Sequence, residues 1–389
     1  MVKQLMTEIY NQMPFDELPE ALVEEMLSKS EETGDKLYKS FKEIKDSIDK
    51  MRRQLEERMI LKRDNEFVYP VIPTTCGVDG AYVVERLLAT DIVACAAVAI
   101  EGLAPPSEHR YWEKPTHRVF INPERHNPDI GIVIRGLMFE MELELANKAP
   151  HDIVFLDGSL TTPLIYMNQA INRILEWQKE GFLPEVGNEL YSRYLEFLSN
   201  YKTILHANRN DKLFVSLPKY TTKRELGDSL GWPSHYDDRA ILTNILAPGE
   251  LISPIPLGQP QQPWHIKNPF NDRSIENLIN DILSSIDSLY VMYYRPHSWT
   301  PALRIEVPYS IATNNYRIAV LLQGIKYQSG TPGIMEPYPL YIADRMVKKL
   351  GNAIPAFRQT ATKRITELHQ GDIMDIFFSM HSYRTETGR

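Results

Sequence analysis

Residues 76–82 read CGVDGAY, and residues 153–160 read IVFLDGSL. In each stretch an apolar run is followed by Asp-Gly, which places Asp79 and Asp157 at the ends of two expected strands. The apolar run sets each strand in a sheet interior, and the glycine lets the backbone turn sharply or approach a ligand closely. An acid at a central strand end is poorly placed for packing but well placed for a hard cation, which takes oxygen ligands. One Asp-Gly is a common turn. Two on buried strands, with a glutamate-bearing helix between them, point to a cation site.

The rest of the chain reads outward from these strands. DIVACAAVAIEG (91–102) is a continuously apolar, buried strand. A helix is expected from about Asp129 to Lys148, and a long helical region from Pro163 to Ala207, interrupted near GFLPEVG. KLFVSLPK, SLYVMYYRP and ALRIEVP read as strands, and helices close the chain from Pro339 onward. The proline-rich stretch LISPIPLGQPQQPWHIKNPFND reads as an irregular loop. Residues 1–65 form a charge-rich helical segment, with Leu37, Phe41, Ile44, Ile48, Met51 and Leu55 as an apolar stripe. Such a stripe suits packing on its own domain or on a dimer mate. Alternating strands and helices over 66–389 indicate an α/β domain, a mixed sheet flanked by helices.

Composition excludes several classes. The net charge of −8 argues against coating nucleic acid by bulk positive charge, although metal-binding acids would themselves lower the charge. Cys76 and Cys95, the two cysteines, form no CxxC pair or zinc spacing. The longest apolar run, Ile92–Ile100, is too short to cross a bilayer, and the first residues lack a secretory h-region. A cytoplasmic protein is expected. No HExxH or Walker P-loop occurs, which disfavours a zinc hydrolase and an intrinsic Walker ATPase.

Further acids sit on expected helices. In IRGLMFEMELELANK, Glu140 and Glu144 flank one side of the apolar stripe and Glu142 the other. At least one of the three is expected to face solvent. Late in the chain, EPYPLYIADRMVKKLG places Asp344 at the edge of a stripe formed by Leu340, Ala343, Met346, Val347 and Leu350.

The series VDGAY, a helical glutamate seventeen residues before Asp157, then LDGSL, resembles the NurA nuclease family. VSLPK, DDRAILTNILAPGE and PYPLYIAD continue the resemblance, which spans about Cys76 to Leu350. It implies a ribonuclease H-like fold and a manganese-dependent (or magnesium-dependent) nuclease acting on single- and double-stranded DNA. It also implies 5′–3′ exonuclease action with single-strand endonuclease activity, a homodimer, and a HerA-type hexameric ATPase partner in DNA end processing. Position by position, Asp79, Glu140 and Asp157 match the family's metal-binding acids, and Lys219 its strand-end lysine. Asp344 stands where many relatives have histidine, a departure that still leaves an oxygen ligand for a metal.

Hydrolysis of a phosphodiester by such acids would use two ions about 4 Å apart. Lys219 could add a point charge at the phosphate, and Tyr82 and Tyr220, close after Asp79 and Lys219, could stack on bases. Two other readings compete: an actin-like ATPase, whose phosphate loops take the form Asp-x-Gly-Thr/Ser, a poor fit to the adjacent Asp79-Gly80 and Asp157-Gly158, and a catalytically degenerate subunit that regulates an ATPase.

Overall fold

Long apolar runs and helical periods alternate in this chain, and the computed structural model shows them closing into one mixed sheet. It describes residues 18–381 apart from 107, 209–210 and 271. Residues 1–17 of the expected N-terminal helical segment lie outside the described residues. The chain divides into two compact units between Glu57 and Arg58. In the first unit, α1 is a single helix, Glu20–Glu57, with Lys29–Glu25 (2.7 Å) and Lys36–Glu32 (2.5 Å) ion pairs one turn apart on its exposed surface.

Among the described residues the second unit is built on nine strands: β1 (Leu61–Arg63), β2 (Thr75–Arg86), β3 (Asp91–Glu101), β4 (Thr116–Glu124), β5 (Ile153–Asp157), β6 (Leu213–Leu217), β7 (Glu250–Pro256), β8 (Tyr290–Arg295) and β9 (Leu303–Val307). Their order across the sheet is β1-β7-β8-β9-β6-β5-β2-β3-β4. β2, β3 and β4 form an antiparallel meander, and β5 and β6 continue parallel to β2. Three antiparallel strands followed by two parallel ones, in the order 4-3-2-5-6, is the ribonuclease H-like arrangement.

Three strands escaped the sequence reading. The expected boundary at residue 65 cuts off β1, whose three residues pair with β7. β7 itself occupies LISPIP, the start of the expected irregular loop. Pro254 is tolerated because the strand bulges between Ile252 and Ile255, and Pro256 because it ends the strand. β4 is an edge strand, half exposed on both faces, so it carries no apolar run.

Helices cover both faces. α2 (Ile130–Lys148), α3 (Thr162–Lys179) and α4 (Glu185–His206) lie together, with α2 directly on β2 and β3. Short helices α5 (Glu225–Leu230) and α6 (Asp238–Ile245) follow β6, and α7 (Arg273–Asp287) packs on α4. α8 (Tyr309–Ala312) and α9 (Asn315–Gln328) follow β9. α10 (Tyr338–Val347) packs on β2 and β3, and α11 (Leu350–Leu368) and α12 (Ile373–Met380) end the described chain. Position 80 of β2 faces α2, whereas position 77 faces the start of α10. Alternation along a strand therefore puts the two helices on opposite faces of the sheet.

Candidate metal centre

The parallel ladder between β2 and β5 ends at Val78↔Leu156, and the next residue on each strand is an aspartate. β5 stops there. β2 does not: paired with β3, it runs on to Arg86. Asp79 therefore lies inside a long strand rather than at its end, because β3 supplies hydrogen-bonding partners well past the point where β5 gives out. The ends of β5 and β6 leave a crevice beside the extended β2, the usual ligand position where the parallel part of a sheet ends.

Asp79, Asp157 and Asp344 each present an oxygen to this crevice, all within 4.8 Å of one another. Asp79 and Asp157 are fixed in the same way, each accepting the N–H of its following glycine at 2.8 Å. Gly158 adopts a φ of +78°, which turns the chain away from the site. Asp344 comes from α10, which packs on the face of the sheet that Asp79 points toward.

From the other face, α2 delivers Glu142 rather than Glu140. Glu142 reaches β2 at Gly80, where a Cβ would meet its Oε1 and lie 2.7 Å from Met138 Cγ. The glycine of the first Asp-Gly is needed for this close approach. Glu140, the expected ligand, points elsewhere: it sits with Glu144 and Glu196, 3.6 Å from Arg193 of α4. All three α2 glutamates are buried, so none occupies the solvent-facing side that the stripe suggested. The physical reason is that α2 lies between the sheet and two helices, leaving no side free for solvent. A one-stripe analysis of such a helix cannot tell the sheet side from the helix side. The signal available in the sequence was the opposition of Glu142 to Glu140, together with the missing side chain at position 80.

Lys219, which follows Pro218 after β6, points its ammonium into the acids. It lies 3.0 Å from Asp157, 3.1 Å from Glu336 and 3.5 Å from Asp344. Burial alone would lower its pKa, but Asp157, Glu336 and Asp344 outweigh burial and raise it. Glu336 was not foreseen. It lies in the loop before α10, outside any periodic segment, and only its place just before PYP marked it. Lys348, one turn after Asp344, binds that carboxylate at 2.8 Å.

The acids repel one another. Burial, then the charge of Asp157, pushes Asp79 up to about 8. Glu142 is raised well above its ordinary value by burial and by Asp79 and Asp157. Burial also raises Glu336, against the pull of Lys219. Asp344 goes the other way: burial raises it, but Lys348 and Lys219 together hold it below the usual carboxylate range.

Tyr220 is 96% exposed and lines the crevice with Lys219. Two further cavities, of about 360 and 510 Å³, adjoin the 330 Å³ aspartate crevice and share those two residues. Tyr82 stands apart from them, its hydroxyl and ring face engaged by Arg135 of α2.

A family model for the NurA domain matches residues 73–348. The chain belongs to the NurA family of nucleases. The crystal structure of the NurA nuclease from Sulfolobus solfataricus is similar over 87% of this chain and 99% of its own, with 15% identity and a TM-score of 0.51. A second NurA structure is similar over 90% and 100%, at 16% identity and a TM-score of 0.53. A structure of NurA with manganese is similar over 86% and 99%, at 14% identity and a TM-score of 0.51. At these identities the likeness speaks for a shared fold, the one already read from the strand order. No curated protein matches the sequence. Among the described residues no helix is long and apolar enough to cross a membrane.

Proposed function

We propose that this NurA-family protein is a divalent-metal-dependent DNA nuclease whose metal centre is formed by Asp79, Glu142, Asp157 and Asp344. The carrying observation is the convergence of three aspartates within 4.8 Å on a crevice where β5 ends, with a buried glutamate behind them. The donor set fits manganese or magnesium. It is all carboxylate oxygen, with no sulfur or imidazole, and hard divalent ions take such ligands. The burial and the repulsion that together raise Asp79 and Glu142 are penalties that a cation relieves, and the Lys219 ammonium already sits among Asp157, Glu336 and Asp344 as a monovalent counter-ion.

A bound pair of such ions would supply an activated water and offset charge on the leaving oxygen. The chain's own residues do the rest. The aspartates orient the centre through their glycine N–H bonds. Lys219 offers a positive charge to a phosphate at the crevice. Tyr220 presents an exposed ring at the junction of three cavities, suited to stacking on a base. Tyr82, with its ring face already under Arg135, is assigned no such role.

The finer reading follows the family resemblance: 5′–3′ exonuclease action with single-strand endonuclease activity, a homodimer, and a HerA-type hexameric ATPase as partner in DNA end processing in the cytoplasm. The net charge of −8 supports the need for a partner, since it gives weak unaided attraction to a polyanion. Digestion of 5′- and 3′-labelled linear DNA with manganese or magnesium, with and without the cognate ATPase, tests all of this. Absence of metal-dependent cleavage under every condition would leave the regulatory-subunit reading in its place.

A further inference from the structure

The residues after Asp157 turn the chain from β5 into α3, and this turn is gripped from several sides. Ser216 of β6 donates its hydroxyl to the Gly158 carbonyl, and Tyr201 donates to the Leu160 carbonyl at 2.5 Å. Glu306 of β9 takes two bonds on one oxygen: its Oε2 accepts from Ser159 Oγ at 2.6 Å and from the Leu160 N–H at 3.1 Å. Its other oxygen, Oε1, accepts from Arg304 Nε at 3.1 Å.

Arg304 continues the chain. Its two terminal nitrogens donate to both oxygens of Glu225 at 2.8 Å each, and Nη1 also donates to the Tyr293 hydroxyl at 2.6 Å. Glu225 opens α5, the first helix after Lys219. One run of charge-assisted bonds, Ser159–Glu306–Arg304–Glu225, therefore joins the turn that follows Asp157 to the segment that follows Lys219. Arg304 is 1% exposed and Glu306 2%. Charges so deeply buried are costly, and apolar residues of similar volume often stabilise a core as well or better. A fully bonded buried network does, however, fix geometry.

We propose that Glu306 is a positioning residue for the metal centre, held in its own place by Arg304 and Glu225. The chain sets where Asp157 stands relative to Lys219, now 3.0 Å away. This rests on the metal-centre reading above and adds a set of residues outside it. Groups that orient metal ligands from behind typically change metal affinity about 10–100-fold when altered.

The test is Mn²⁺ binding measured by calorimetry on the full chain without DNA, beside melting curves in chelator. Glu306→Gln keeps the size, but one amide oxygen cannot serve both Arg304 and the turn. Its Mn²⁺ dissociation constant should rise about tenfold or more. Ser159→Ala removes its bond to Glu306 and its two local bonds with Thr161 but leaves every buried charge paired, so it should give a smaller rise in the same direction with little change in melting. If Glu306→Gln fails to fold, Ser159→Ala decides alone. Wild-type Mn²⁺ affinity in the folded variants, with only melting lowered, would reduce the network to a structural one and overturn the proposal. A wild-type chain that binds no Mn²⁺ would instead sink the metal centre, and the positioning role with it.

Discussion

Helix α2 carries acids into two different neighbourhoods, and the contrast shows what distinguishes a ligand site from an ion-pair network. On one side, Glu140, Glu144 and Glu196 converge as closely as the three aspartates do. There, three cations stand among them, although burial still pushes Glu140 up to about 7: Arg193 lies 3.6 Å from Glu140 and Glu144 and 2.6 Å from Glu189, Arg118 lies 3.1 Å from Glu144, and Lys148 also pairs with Glu144. On the sheet side, Asp79, Glu142, Asp157, Glu336 and Asp344 share Lys219 and Lys348. Convergence of carboxylates is thus common to both clusters. A larger surplus of acids over cations, at the end of parallel strands, belongs to one, and the proposed divalent ion would answer that surplus.

The strongest test of this contrast is to remove acids from each side. Asp79→Ala and Asp157→Ala should each cut the cleavage rate by more than about a hundredfold, since altering even a group behind a ligand costs 10–100-fold. Glu142→Gln should do nearly the same, whereas Glu140→Gln should leave the rate within about threefold, a difference larger than any expected from packing alone. Steady-state cleavage of labelled DNA at saturating manganese checks all four. Equal losses from the two glutamine variants would erase the distinction between the clusters.

A smaller effect should appear in stability. The unfolded chain releases the Asp79 proton near 3.8 and the folded chain near 8. Between those values the folded protein holds a proton that the unfolded one has lost, so raising the pH across this window destabilises the metal-free fold. Glu142, also raised, adds in the same direction. Melting in chelator should therefore fall from pH 5 to 8, and Mn²⁺ should restore it. Asp79→Asn should flatten the fall and raise the metal-free melting temperature, by about 1–1.5 °C per kcal/mol of burial cost and repulsion relieved in a chain of this size. A melting temperature in chelator that is level or rising across that range would show that the acids are not starved of cations.

Much of this was legible in the sequence, for physical reasons. Strands β3 and β5 are buried on both faces, so their residues form apolar runs that need no partner to be recognised. Asp157 ends such a run, and Asp79 interrupts another. Asp344 and Lys219 stood out through the resemblance of their segments to one family. What stayed hidden depended on partners distant in the chain. β4 and β7 are strands because neighbours pair with them, and their own residues alternate weakly or contain proline. Glu142 is chosen over Glu140 by what covers each side of α2, which no helical period encodes. Glu336 joins the site because its loop passes Lys219.

Asp344 sharpens the contrast most gently, since it is the acid of the centre best supplied with cations. Lys348 holds it at 2.8 Å and Lys219 stands 3.5 Å away, and together they keep its pKa below the usual range. It is also less enclosed than Asp79, its side chain 17% exposed. A carboxylate already balanced in this way gains less from an added ion than one that repels its neighbours. Asp344→Asn keeps the shape and an oxygen donor but removes the charge, so manganese half-saturation of cleavage should shift upward only about two- to tenfold, below the effect of losing Asp79 or Asp157. Asp344→His substitutes an imidazole nitrogen, the group that the family resemblance implies at the matching place. It should retain part of the activity while moving preference toward softer ions such as cobalt or zinc. Lys348→Ala separates the two explanations, because it frees the carboxylate without altering it: metal should then bind Asp344 more readily, and half-saturation should fall. If Asp344→Asn titrates with manganese as the wild type does, and Lys348→Ala leaves the curve in place, Asp344 belongs with Glu140 among the paired acids, and the centre reduces to Asp79, Glu142 and Asp157.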